Sequence, residues 1–453
     1  MEQNKRLSSD QKVIISTGFI FIIIVSSALA FSLPVLIFQI IFVTITLFFC
    51  CKTDYKTAKL WLSIFGIAMS FVFLVYLANK IYYGKPYYIG GSDDLNFEKW
   101  GFDVYNFGVY NPAKIMEFGV IGQFNNSPFF PVYIAKLIQF SEFFGSYTTF
   151  LPRILNVYYL IWICMSTKKL LENYTSLSKK AIYYSLVVFG FMPNVLYINA
   201  HVFRDMFNLL QVLLVAILFD SLLNQDKPML KIASTLLLVP LLYSTYYTRA
   251  SSILFALVLI LLMFSSKYQI KNRFIFILII PMLFLSNLLE TFRLGYYIET
   301  YSSYVSEIAG EGLSGFVFNR PMLPFGIFFR AIYALISPFP NFFGLFNESS
   351  KFLFDLVQFT IYVGVLLQIL AIPFIIKRAL KFDWLSIVFL SLFFTVIATT
   401  FTFRHVLIYY PFMAAIGIDG FLETKPNTRK VILVMSVLVS ICLGIIYLFL
   451  RLF

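Results

Sequence analysis

Apolar runs of roughly 20 residues, separated by short polar or proline-bearing loops, recur along nearly the whole chain, and a run of that length is what a helix needs to cross a bilayer. Inside hydrocarbon the backbone must satisfy its own hydrogen bonds, and these runs do so as helices. The chain is therefore expected to be all-α, a polytopic transmembrane helical bundle forming a single integral membrane domain over residues 1–453. Composition agrees: 60% of the residues are hydrophobic and 13% charged, against about a quarter charged in a soluble domain. The formal charge of +13 does not point to nucleic acid, because the basic residues cluster in short loops between apolar runs, as the positive-inside rule produces.

That rule also gives an orientation. Val13–Leu33 and Pro34–Cys51 read as a hairpin turned at Pro34, and a loop with Lys52, Lys56 and Lys59 leads into Ala58–Ala78. The first run is long and lacks a cleavage site, so it reads as a retained helix rather than a signal peptide. With a cytoplasmic N-terminus the third run emerges outside, and residues 79–147 form a first extracytoplasmic segment. Later runs return repeatedly to lysine-rich loops, at Lys168, Lys169, Lys179 and Lys180, at Lys227 and Lys231, at Lys267, Lys271 and Arg273, and at Lys425, Arg429 and Lys430. Phe274–Leu289 leads out to a second extracytoplasmic segment, residues 290–350. Both segments are expected to contain interfacial helices. The stretch Leu323–Phe346 carries Arg330 and a Ser337-Pro338-Phe339-Pro340 break, and it reads as re-entrant, which keeps Lys377, Arg378 and Lys381 inside. The count comes to about 13 spans in a multi-pass cell-membrane protein.

The residues with chemical potential then sort to one face. The longest polar interruption early in the chain holds Tyr87–Phe97, a glycine-hinged stretch with the adjacent carboxylates Asp93 and Asp94. Arg204 and Asp205 fall in an outer turn, as do Arg249 and the pair Arg404 and His405, and Arg330 lies in the re-entrant stretch. A charge near the membrane centre costs about 2.5–3.5 kcal/mol on insertion scales, so such residues are usually paired and face an interior cavity. Arginine presents a planar fork of donors suited to phosphate oxygens. Arg204, Arg249, Arg330, Arg404 and His405 are therefore candidates to bind a lipid phosphate beside Asp93 and Asp94. Other roles suit some of them: either aspartate could cap a helix over Leu95–Phe107, and Arg204 and Asp205 could form a structural ion pair. The four cysteines (Cys50, Cys51, Cys164, Cys442) have no zinc-ligand spacing, and two histidines offer no histidine-based metal centre. No cofactor is expected, although an assisting divalent metal is left open.

Such a pocket would suit glycosyl transfer. A carboxylate accepts the proton of an acceptor hydroxyl as it attacks an anomeric carbon, and arginines stabilise the departing phosphate. An outer-face site favours a polyprenyl-phosphate- or diphosphate-linked sugar as donor and a glycan or lipid as acceptor.

At these residues the chain resembles the GT-C superfamily of polytopic glycosyltransferases, including its protein mannosyltransferase-like bacterial members. Asp93-Asp94-Leu95-Asn96-Phe97 is similar to the acidic pair and following aromatic of that family's first large outer loop. Asn126-Ser127-Pro128-Phe129-Phe130-Pro131, Phe144-Gly145 and Pro152-Arg153-Ile154-Leu155-Asn156 follow in the family's order. The resemblance covers roughly Gly90–Leu171 and implies a lipid-linked donor, with Asp93 as the catalytic base and Arg153 in support. Three runs rather than one precede the acidic segment, and no large soluble domain follows the last run. Phe203-Arg204-Asp205, Thr248-Arg249-Ala250 and Arg404-His405 before Tyr410-Pro411 look instead like surface-polysaccharide polymerases. Two other functions thus stand beside single-sugar transfer. One is repeat-unit polymerisation of an O-antigen, capsule or exopolysaccharide, and the other is transport of a lipid or glycan. A transporter should carry paired interrupted helices, and the sequence offers one break without a partner.

Overall fold

A computed structural model describes residues 7–88, 93–121, 127–268, 317, 326–336, 351–399 and 404–452. Its described helices are α1 (Ser9–Ala30), α2 (Leu33–Cys50), α3 (Tyr55–Tyr83), α4 (Asp93–Phe107), α5 (Pro112–Glu117), α6 (Phe129–Glu142), α7 (Phe150–Tyr174), α8 (Lys179–Phe191), α9 (Pro193–Asn199), α10 (Asp205–Asn224), α11 (Pro228–Thr248), α12 (Ser251–Lys267), α13 (Ile327–Ile336), α14 (Phe352–Ala379), α15 (Trp384–Thr399), α16 (Tyr410–Glu423) and α17 (Pro426–Leu452). A short 3₁₀ turn, His405–Ile408, opens α16.

Local chemistry sets several ends. Ser8 and Gln11 form a reciprocal capping box at α1. Asp54 caps α3 by accepting from the Thr57 amide at 3.0 Å. Gly84, at φ +70°, ends α3 in the left-handed conformation that a residue with a Cβ resists, and so releases the chain toward the acidic stretch.

Among the described residues, eight helices are long and apolar enough to cross a membrane, or nine if the bent pair α8–α9 is one span. The chain is thus a helical, multi-pass membrane protein. Two of the runs expected to span fold as shorter helices: α12 has 17 residues and α16 has 14. At 1.5 Å per residue these reach about 20–25 Å, short of the hydrocarbon thickness of about 30 Å. The described part of α15 has 16 residues. The expected span Ala181–Ile198 is broken, with a 53° bend between Phe191 and Pro193. The expected span Phe274–Leu289 and the Ser337–Pro340 break lie outside the described residues, as does nearly all of 290–350 apart from α13 and residues 317 and 326.

Burial ranks the helices. In α7, 89% of the apolar window is buried, whereas α11 and α17 have 11% and 6%. So α7 is the central post, and the other two lie at the periphery with apolar surface that lipid can cover at no cost. Arg153 and Asn156 on α7 are buried polar groups, each held by hydrogen bonds across the bundle. Beside the main core, α4, α5 and α6 share a small core of Val104, Ile115, Ile121, Val132 and Ala135. Gly101 allows α4 to lie directly against Ile134 of α6.

The two ends of the bundle differ in charge. At one end Lys56 sits over the Tyr183 ring, Lys169 pairs with Asp220, and Lys267 reaches the Leu223 carbonyl. Tyr174 stacks on Trp384 there, and Arg378 pairs with Asp383 and Asp419 while Lys381 pairs with Glu423. Lys377, Arg378 and Lys381 thus share this lysine end with the earlier basic loops. α13 is described over ten residues, Ile327–Ile336. Gln368, midway along α14, donates to the Leu335 carbonyl at 2.9 Å, so the C-terminal end of α13 meets the middle of α14.

Candidate functional site

The acidic stretch lies at the opposite end, and its two carboxylates have separate environments. Both belong to the first turn of α4, where a carboxylate complements the exposed amides of a helix start. Asp94 is fully buried. Its Oδ2 accepts from Arg153 Nη2 at 3.1 Å and from the Tyr88 amide at 3.3 Å, and its Oδ1 accepts from the Val202 amide at 2.5 Å. Arg153 extends the brace by donating from Nη1 to the Ala200 carbonyl at 2.9 Å and from Nη2 to the Pro86 carbonyl at 2.7 Å. One ion pair therefore ties together the start of α4, the loop after α3, the head of α7 and the turn after α9. A buried pair survives only when further hydrogen bonds satisfy both partners, as here.

Asp93 points elsewhere. Its side chain is 41% exposed, and Oδ2 is paired with Arg404 Nη2. The other terminal nitrogen of Arg404 lies 3.7 Å from Asp205 Oδ2. The guanidinium also stands over the Phe203 ring, 4.2 Å from its centroid, and Phe203 stacks on His201. His201 is fixed by the Tyr197 carbonyl at 2.8 Å, and burial lowers its pKa to about 4, so the ring is neutral. Asp93, 311 residues away in sequence, thus meets an arginine held by a carboxylate on one side and an aromatic stack on another.

Arg204 and Arg249 stand close by. Arg204 is buried, bonded to Ser127 Oγ and set over the Phe97 ring at 5.5 Å. Arg249 caps the end of α11 and lines a small cavity with Asp205, Asn208, Phe255, Arg404 and His405. The cavity holds about 10 Å³, room for about one water. Burial first, then Arg249, Arg404 and Arg204, push the His405 pKa far below its usual value. His405 is therefore a neutral ring among three cations, which alters its expected part as a phosphate ligand: it offers a hydrogen bond and no charge.

Of the candidates, Asp93, Arg404, Asp205, Arg249 and His405 come together, with Arg204 beside them through His405. Asp94 and Arg153 form a buried brace behind them. Arg330, on α13, is not among the cavity-lining residues. Asp205 faces Arg404, and its neighbour Arg204 is directed to Ser127, so the two do different things at the head of α10. Among the described residues no three His, Cys, Asp or Glu side chains converge as a metal site requires.

Two residues escaped the sequence reading. Glu98, one turn after Asp94 on α4, is 2% exposed, and burial raises its pKa against the opposing pull of Tyr147, Tyr87 and Arg153. Asn208, one turn after Arg204, lines the cavity with an Oδ1 that has no hydrogen bond among the described residues. The i, i+4 spacing to a known candidate was the signal in both cases. No protein-family model, curated protein or solved structure matches the chain.

Proposed function

We propose that this chain is an inverting glycosyltransferase of cell-envelope glycan assembly. It would move a sugar from a polyprenyl-phosphate- or diphosphate-linked donor to a glycan or lipid acceptor on the outer face of the cytoplasmic membrane. The observation that carries the reading is Asp93: a partly exposed carboxylate, set apart from its buried neighbour, beside Arg404 with Arg249 and Arg204 close behind. In the proposed step the acceptor oxygen forms a bond to the anomeric carbon as its proton passes to Asp93. The bond from that carbon to the phosphate oxygen breaks, the phosphate leaves with the electron pair, and the configuration inverts. The arginines stabilise the charge that grows on the phosphate.

Support for an outward-facing site comes from the charge separation between the two ends. The basic loops collect at one end and the Asp93–Arg404 pair lies at the other, and lysine-rich loops belong inside. On this reading the N-terminus is cytoplasmic.

The test is to express Asp93→Asn and Asp94→Asn in the native host and to analyse surface glycan together with lipid-linked intermediates. Loss of glycan with build-up of a lipid-linked species, at normal protein level in Asp93→Asn, is the expected result. A single accumulated sugar indicates a simple transferase, and an accumulated repeat unit indicates the polymerase. Normal glycan in Asp93→Asn overturns the catalytic assignment.

One observation favours the transport alternative. The α8–α9 break is an interrupted helix that the sequence did not show, and it connects to α13. Asn194 donates to the Tyr410 hydroxyl at 3.3 Å, that hydroxyl donates to Gln368 Oε1 at 2.8 Å, and Gln368 reaches the end of α13. An interrupted helix inside a bundle is a feature of transporters. Accumulation of a lipid-linked glycan on the inner leaflet of the variants, rather than the outer, would mark that alternative.

A further inference from the structure

We propose that the Asp93–Arg404 ion pair is a latch over the arginine cavity, opened when a phosphate or diphosphate group takes the place of Asp93 on Arg404. The proposal rests on reading the arginine cluster as a phosphate site.

The cavity bounded by Asp205, Asn208, Arg249, Arg404 and His405 has room for about one water, and a phosphate group is several times larger. An anion that binds inside the cavity, rather than at its mouth, therefore needs a wall to move. Most of the walls are buried: Asn208, Arg249 and His405 are all at most 5% exposed, and Asp205 is 6% exposed. Arg404 is the exception. Its side chain is 13% exposed, and its partner Asp93 is 41% exposed. An ion pair with so much solvent access is weak, worth far less than the buried Asp94–Arg153 pair behind it.

On the guanidinium itself one anion replaces another. An incoming phosphate oxygen takes the place of the Asp93 carboxylate, so Arg404 keeps an anionic partner. Asp205, 3.7 Å from the other terminal nitrogen, and the Phe203 ring keep Arg404 tethered as it turns inward. Asn208 Oδ1 adds an open acceptor to the cavity wall. It is a buried acceptor on the cavity wall without a hydrogen bond among the described residues, and a water or a ligand hydroxyl satisfies it. The functional consequence is order. Asp93 is engaged while the site is empty, and it becomes available to a hydroxyl proton only after the phosphate has docked.

The test is carbodiimide labelling of carboxylates on the full-length protein in detergent, read by peptide mass spectrometry, with binding registered separately by calorimetry. Inorganic pyrophosphate and farnesyl diphosphate serve as probes, the first for free anion and the second for a lipid headgroup. A ligand ordinarily shields nearby carboxylates. The latch requires the reverse: Asp93 labelling rises about two- to fivefold on saturation, the range set by a weak exposed pair, while Asp94 stays unlabelled. In Arg404→Gln, Asp93 should label at the raised level with or without anion.

Binding with Asp93 labelling unchanged or reduced overturns the latch and leaves the phosphate site standing. Equal Asp93 labelling in Arg404→Gln and the anion-free wild type also overturns it. If neither probe binds, the arginine cluster is no anion site, and the latch falls with the phosphate half of the functional reading. The role of Asp93 is judged separately by the glycan analysis of Asp93→Asn. A response to farnesyl diphosphate alone identifies the lipid headgroup as the ligand.

Discussion

Arg153 Nη2 lies 3.1 Å from Asp94 Oδ2, and neither side chain is exposed to solvent. Removing one partner of such a pair leaves a buried charge without its counterion, which costs about 3–5 kcal/mol. We therefore expect Asp94→Ala and Arg153→Ala to lower the unfolding midpoint sharply in detergent, with glycan lost through loss of protein. Asp93→Asn disrupts a partly exposed pair and should change stability by less than about 1 kcal/mol. Equal destabilisation by Asp93→Asn and Asp94→Ala would contradict the division of labour between the two carboxylates.

Glu98 sets a pH dependence of stability. Its folded pKa is raised above the ordinary 4.5, chiefly by burial, so the folded state holds a proton that the unfolded chain releases. Stability from this group is fully present below 4.5 and declines as pH rises from there through the folded value. The groups acting on it are Tyr147, Tyr87, Arg153 and Thr149. Thermal melts at pH 5 and pH 8 should show a smaller difference in Glu98→Gln than in the wild type. The variant should be more stable than the wild type at the higher pH.

Helix contact at α14 and α16 depends on Gly420. A Cβ there would press into the Phe374 carbonyl and come within 3.1 Å of Arg378 Cβ, and backbone cannot turn aside as a flexible side chain can. Gly420→Ala should cost about 1–3 kcal/mol by overpacking. Gly66→Ala is the control. Its Cβ would meet only Ile22 Cδ1 at 3.4 Å, and alanine is the better helix former by about 1 kcal/mol, so the melting point should hold or rise.

The two ends of the bundle should lie on opposite sides of the membrane. In a background without the four cysteines, Lys85→Cys and Glu117→Cys should react with an impermeant maleimide added to intact cells. Lys179→Cys and Asp226→Cys should react only after permeabilisation. Labelling of all four from outside would refute the proposed orientation.

Much of the site's membership was legible before its geometry. Asp93, Asp205, Arg249, Arg404 and His405 stood out as charged or polar groups in apolar surroundings, where only a purpose or a partner keeps them. The helix expected over Leu95–Phe107 lies within α4. Span number was less legible, since hydropathy records that a segment is apolar and not whether lipid or other helices cover it. For that reason α12 and α16 read like α10, although each is too short to cross alone.

The sequence by itself determined that this is a helical, multi-pass membrane protein, because apolar run length is a local property that any window of the chain displays. It also determined which residues were too costly to be incidental. Only the tertiary structure decided that Asp93 and Asp94, adjacent in the chain, part company at the first turn of α4. Successive side chains on a helix point about 100° apart, so one carboxylate turns inward to Arg153 and the other reaches Arg404. Which partner each would meet depended on contacts spanning 59 and 311 residues, and no local pattern carries that information.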